Sequence, residues 1–206
     1  MVAQFTTIGH SNRRLDEFLE MLREARPLIS TIGTNPVFNI DSLPDDLADI
    51  QIGYCHCAAL GGRRSKQSGV DETTNAMWRV RSFHNYPDYA LGDEFAAAFD
   101  KLIQLGRDRR LALMCSEAVW WRCHRRIITD YLLMNDHAVD HLMAPGHVYH
   151  ATPTPGAQRT AQRKVVYPKP NEAALSAFKQ GCHANSLPAG MTVGIAQFSV
   201  VLGVIL

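Results

Sequence analysis

The sequence predicts a single α/β domain of three layers, a mainly parallel sheet of about five strands with helices on both faces. Three observations carry this. Short apolar runs alternate with longer amphipathic stretches, the pattern of successive strand–helix–strand units. A length of 206 residues with 46% hydrophobic and 20% charged content is enough for one real core. No internal repeat competes with that reading.

The elements follow in order. QFTTIGH is the first strand, ending in Gly9-His10-Ser11. Ser11 or Asn12 is placed to cap a helix in which Leu15, Phe18, Leu19 and Leu22 recur at helical spacing. LISTIGT is a second strand, Asn35-Pro36 a turn, and DSLPDDLADI a short helix with Pro44 in its first turn. IGYCHCAAL is a third strand, and Leu60-Gly61-Gly62-Arg63-Arg64 opens a polar loop to about residue 85. A loop that long inside a domain is usually functional or disordered. A helix around Asp93–Gly106 aligns Phe95, Ala98, Phe99, Leu102 and Ile103 on one face. RLALMCSE is the fourth strand, WRCHRRIITDYLLMND the next helix and AVDHLM the fifth strand.

The α/β domain is expected over residues 1–150, and residues 151–206 are set apart from it. ATPTPGAQRTAQRKVVYPKP reads as an extended Pro-rich and basic tail. MTVGIAQFSVVLGVIL is 16 residues without a charge, interrupted by Gln197 and Ser199. A membrane span needs ~20 predominantly apolar residues. A packed strand or strand pair is therefore expected there, and no membrane partner.

A net charge of +1 does not announce duplex DNA or an anionic lipid surface as partner. The charges are nevertheless unevenly placed. Residues 16–49 hold eight acids against two arginines, and residues 107–126 hold six arginines against Asp108 and Glu117. Five cysteines, an odd number, and an N-terminus with no basic or apolar leader pattern point to a reducing cytoplasm.

In parallel α/β sheets ligands bind beyond the carboxyl ends of the strands. His10, Ser11, Asn35, Gly61, Gly62 and Arg63 all lie at such ends, as does the stretch MCSEAVWWRCHRR. There Cys115 is the candidate nucleophile, Glu117 an acid/base or orienting group, His124 a proton carrier, and Arg122 or Arg125 a charge clamp. A lowered pKa is expected for Cys115 or Cys123, beside a helix N-terminus and several arginines. The bland alternative is a buried thiol acting as a small hydrophobe.

The order of cysteine and arginine is similar to the anion cradle of cysteine phosphatases and rhodaneses, but six residues separate Cys115 from Arg122 instead of five. Cys115, Cys123 and His124 offer soft metal ligands, with His10 or Glu117 to complete a set. Adjacent residues on a helix project about 100° apart, so Cys123 and His124 are not expected to share a metal. Cys55 and Cys57 fall on one strand face and read as core. No cofactor is named by any motif. Arg63, Arg64, Lys66, Arg79 and Arg81 interleave with Trp78, Phe83, His84, Tyr86 and Tyr89, a composition that also suits single-stranded nucleic acid. The same aromatics would equally pin the loop to the domain.

TIGHS, NPVFN, ALGG, SFHNYPDY and above all ALMCSEAVWWRCHR resemble the DUF488 family, whose members are of unknown function. The resemblance covers roughly residues 5–150 and rests on a C-E-x5-C-H-R pattern, here Cys115, Glu117, Cys123, His124 and Arg125. It implies a compact α/β domain with a polar site on those residues, and no known reaction. Family members carry Asp-Val-Arg at the end of the second strand and a Pro-, Ser- and Arg-containing loop. LISTIGTNPVFN lacks both. The expected function is thus a thiol-dependent enzyme, or a binder of a small anionic or nucleotide-like ligand. The alternatives are a nucleic-acid-binding module and a metal-binding structural domain.

Overall fold

A computed structural model of the protein describes residues 4–25, 28–30, 38, 41–169 and 200–203. It is a mixed α/β fold built on a mostly parallel sheet, with five α-helices among the described residues. The first strand, β1 (Gln4–Gly9), leads to α1 (Leu15–Ala25), β2 (Leu28–Ser30), α2 (Leu43–Ala48) and β3 (Gly53–His56). Then come α3 (Arg81–Ala90), α4 (Asp93–Asp108), β4 (Leu111–Cys115), α5 (Arg125–Met134) and β5 (Ala138–Ala144). Short strands follow: β6 (His147–His150), β7 (Gln158–Arg159), β8 (Val165–Val166) and β9 (Val200–Gly203).

The sheet order is β3-β9-β2-β4-β1-β5-β6, and only the β5–β6 edge pair is antiparallel. β4 lies between β1 and β2, and every residue of its Leu-Ala-Leu-Met-Cys run is fully buried. A continuous apolar run is what a strand covered on both faces requires. Register pairs Gly9 with Cys115, so the carboxyl ends of β1 and β4 are level. β9, from the apolar C-terminal segment, pairs in parallel with β3. No described helix is long and apolar enough to cross a membrane.

Three expectations need correction. Neither Ser11 nor Asn12 caps α1. The helix starts at Leu15, and the Arg14 carbonyl accepts the bond from the Phe18 N–H. Ser11 instead turns the chain off β1, at a φ of 44°, and its N–H donates to the Ser116 carbonyl.

Secondly, the polar loop ends at Arg81, where α3 begins despite Pro87 in its interior. Its buried face is Asn85, Tyr86, Asp88 and Tyr89 rather than aliphatic residues, so apolar periodicity does not reveal it. Tertiary bonds hold it. Tyr86 and Tyr89 hydroxyls donate to the Leu60 and Ala59 carbonyls, and Asn85 Nδ2 donates to the Arg64 carbonyl. These bonds, each worth about 1 kcal/mol net, clamp residues 59–64 onto the domain.

Thirdly, residues 151–169 are extended but packed. Val165 and Tyr167 are fully buried in the core. Asp130, on α5, accepts bonds from the Thr154 N–H at 2.7 Å and the Tyr167 hydroxyl at 2.8 Å. A Pro- and Thr-rich composition hides this docking because two apolar anchors suffice for it.

Candidate functional site

Cys115 ends β4, and the chain then doubles back over the end of β1. The His10 N–H donates to the Cys115 carbonyl at 3.0 Å. Gly9 permits the fold-back by close approach: a Cβ there would lie 2.0 Å from the Glu117 carbonyl oxygen. The returning segment forms a 3-10 turn over Trp120–Arg122 and passes through an extended Cys123. His124 is the N-cap of α5.

That detail overturns the helical argument against convergence. Cys123 and His124 do not lie side by side on a helix. Sγ of Cys115, Sγ of Cys123 and a ring nitrogen of His124 all fall within 4.8 Å of one another. Cys115 Sγ is 4.0 Å from His124 Nδ1, and the Glu117 N–H donates to it at 3.4 Å. Such a spread admits three metal ligands. The electrostatics oppose a cation, because the Arg125 guanidinium donates to Cys123 Sγ from 3.1 Å.

Arg125 is the dominant charge. It is 1% exposed, and no carboxylate lies within ion-pair distance among the described residues. Besides Cys123, it donates to the main-chain carbonyl of Glu117. A buried guanidinium without an anion is costly, and the nearest group able to become one is Cys123. Burial pushes the Cys123 thiol up, but the hydrogen bond from Cys115 and the charge and N–H of Arg125 outweigh it and hold Cys123 at about 6. The Trp120 carbonyl, 3.5 Å from the same sulfur, suits the thiol form and works against this. Cys115 moves the opposite way, raised well above the ordinary range by its bond to Cys123 and by burial. Of the two cysteines, Arg125 favours the thiolate on Cys123, whereas burial and the bond to Cys123 oppose it on Cys115.

His124 is held down to about 3 by burial and by the Arg125 and Arg64 charges. Both causes favour the neutral imidazole, whose Nε2 is buried without a hydrogen-bond partner among the described residues. His141, on β5, is likewise held at about 3 by burial and Arg125. It stacks on Trp120 at 4.2 Å and meets Thr7 Oγ1 through Nδ1 at 2.7 Å.

A cleft of ≈ 440 Å³ opens over Cys123 and His124. Glu117 and Arg122 line it from the β4–α5 segment, Gly62, Arg63 and Arg64 from the loop after β3, and Ser82 and Tyr86 from α3. The structure thus unites Glu117, Cys123, His124, Arg122, Gly62 and Arg63, with Cys115 and Arg125 behind them. Gly61 is buried outside the lining, and its N–H closes the turn onto the Ala58 carbonyl. His10, also buried, stacks on Phe38 at 4.4 Å away from the cleft, and Ser11 does not line it. Asn35 and the LISTIGT departure beyond Ser30 lie outside the described residues.

Sequence reasoning offered Arg64 for nucleic acid but did not include it among the residues of this cleft. Its guanidinium lies over Tyr89 at 3.9 Å and donates to the Ala58 carbonyl, while its Nε is buried without a partner. It meets Tyr89 of α3 and shares the cleft wall with Cys123 and His124, so its place there follows from the fold. The aromatics proposed for nucleic acid mostly face inward: Tyr86 and Tyr89 are buried, and Trp78 stacks on Phe83.

The Glu117 carboxylate is exposed and makes no ion pair among the described residues; its main chain does the positioning. Glu117→Gln should therefore cost less than ~1 kcal/mol, measured by urea unfolding. A loss of several kcal/mol would show a buried partner for the carboxylate.

These features define an α/β protein with a two-cysteine, arginine-paired site on the rim of its sheet. The chain belongs to the DUF488 family, a domain of unknown function that matches residues 14–132, more than half its length. The match takes in the 61–64 loop and Cys115 through Arg125. No curated protein and no solved structure matches the chain.

Proposed function

We propose that the cleft binds a small anionic ligand and presents to it the Cys123 thiolate, as a thiol-dependent enzyme would. The observation that carries this is the buried Arg125 guanidinium with a cysteine sulfur, and no carboxylate, as its counter-group. Arg63, Arg64 and Arg122 add positive charge to the walls, and Arg64 Nε is a buried donor still to be satisfied. A phosphoryl or carboxylate group would satisfy it. Thiolate attack on an electrophilic centre of the ligand would form a covalent intermediate, with the arginines holding the charge and Glu117 at the cleft wall as the acid/base group.

The functional unit is the α/β domain of residues 1–150 together with the 151–169 segment packed on it. Its helices cover both faces of the sheet in three layers, which leaves the strand ends as the open rim. A reducing cytoplasm belongs to the same reading, since it returns Cys123 to the free thiol that the cleft presents.

The test is alkylation of Cys123 by iodoacetamide, followed by peptide mass mapping across pH, with and without inorganic phosphate or a nucleoside monophosphate. A midpoint near 6 and protection by either anion are expected. A midpoint at the ordinary ~8.5, or no protection by either, would sink the proposal.

A further inference from the structure

We infer that Cys115 and Cys123 form a hydroperoxide-reactive pair that closes into a reversible intramolecular disulfide. The inference rests on the reading of Cys123 as the cleft-facing thiolate, and it adds an oxidant and a second role for Cys115. Geometry leads to it. The two sulfurs lie within 4.8 Å of each other, at the two ends of one loop. Cys123 lines the cleft, whereas Cys115 is fully buried behind it at the end of β4. A peroxide entering the cleft thus meets Cys123 first, and Cys115 is the thiol within reach of the product.

The chain between them permits closure. A disulfide needs sulfurs about 2 Å apart, so one or both must shift. Cys115 is fixed by the sheet, but Ser116–Cys123 contains no α-helix, only bends and a 3-10 turn that ends in an extended Cys123. Rotation at Cys123 and adjustment of that segment supply the movement. Cys123 would surrender its bond from Arg125 in doing so.

The steps balance. The Cys123 thiolate attacks one peroxide oxygen and the O–O bond breaks. The departing oxygen takes a proton from solvent and leaves as alcohol or water, and Cys123 becomes a sulfenic acid. The Cys115 sulfur then attacks the Cys123 sulfur, the S–O bond breaks, and water leaves carrying the Cys115 proton. Two thiols have lost two electrons and one peroxide has gained them. A small dithiol returns both sulfurs to the reduced state by exchange.

Oxidation of Cys123 also prepares the second step. The Cys123 hydrogen bond and negative charge are among the causes that hold Cys115 protonated, while the Arg125 charge favours its ionisation. Once Cys123 is a neutral sulfenic acid, that opposition is gone and the Arg125 charge remains. Burial still opposes ionisation of Cys115, but oxidation of its partner removes the charge that opposed it as well.

The experiment treats the reduced full-length chain with equimolar hydrogen peroxide at neutral pH and maps its peptides. The expected product is a Cys115–Cys123 disulfide, reversed by dithiothreitol. In Cys115→Ser, dimedone should trap a sulfenic acid on Cys123, and in Cys123→Ser no adduct should form on Cys115. The inference is overturned if the wild-type chain forms no Cys115–Cys123 link, or links either cysteine to Cys55, Cys57 or Cys182 instead. It is equally overturned if dimedone labels Cys115 in Cys123→Ser. Should Cys123 still alkylate and be protected by phosphate while no disulfide forms, anion binding stands and the peroxide chemistry falls.

Discussion

Arg125→Met is expected to move the Cys123 titration from about 6 to the ordinary thiol range or above it. Burial pushes this thiol up, and the bond from Cys115 brings it down together with the charge and direct N–H bond of the guanidinium. Without Arg125 the sulfur takes up a proton and escapes the cost of an unpaired buried anion. Stability should consequently fall by roughly 2–3 kcal/mol, the value of charge-assisted bonds and one orphaned carbonyl, instead of the ~5 that a stranded buried charge can cost. The sign with pH follows. A thiol whose folded value is depressed contributes stability that is complete above about 8.5 and lost as pH falls toward 6. Alkylation below neutral pH should slow by well over about tenfold, and the stability gain between these pH values should disappear. A variant that still alkylates with a midpoint near 6 would show that Arg125 is not the cause.

Acidification from about pH 7 to about pH 5 should destabilise the wild-type chain by up to ~5 kcal/mol, about 4 from two histidines and about 1 from the Cys123 thiolate. Two buried histidines, His124 and His141, are held at about 3 when folded, against ~6.5 in the unfolded chain. Between those values the unfolded state carries protons that the native state refuses, so stability rises with pH. Each such group contributes about 1.4 kcal/mol per pH unit. Asp130 works the other way, because burial raises its carboxyl above the ordinary range. One such group does not offset two histidines. Urea unfolding across this window measures the slope, and His141→Asn should remove about a third of it. A loss of no more than ~1 kcal/mol would mean that the two imidazoles accept protons in the fold.

Much of this architecture was legible as apolar runs. β4 stands out because a strand buried on both faces needs continuous hydrophobic residues, and Leu111–Met114 supply them; β1 and β5 are marked by fewer buried apolar residues, Phe5 and Ile8 in one and Val139 and Leu142 in the other. α3 was not legible, because its buried face is tyrosine, asparagine and aspartate held by long-range bonds. The sulfur, histidine and arginine residues of the site could be picked out, but not their roles. Those depend on whether Cys123 and His124 are helical, and the 3-10 turn at Trp120 decides that they are not. Nor does any local pattern tell that Arg125, among six arginines in 107–126, is the buried one.

Gly9 gives the fold-back a further meaning. The Glu117–Ala118 backbone passes so close over it that no side chain fits between them. The first sulfur is thereby fastened to the stagger of two neighbouring strands, whereas the second hangs from a short tether with no strand beneath it. The two halves of the site have unequal freedom, and the spacing between them is governed by one end. On the proposed reading, a ligand or oxidant would recruit motion from the Trp120–Cys123 side and leave the centre of the sheet as a stationary reference.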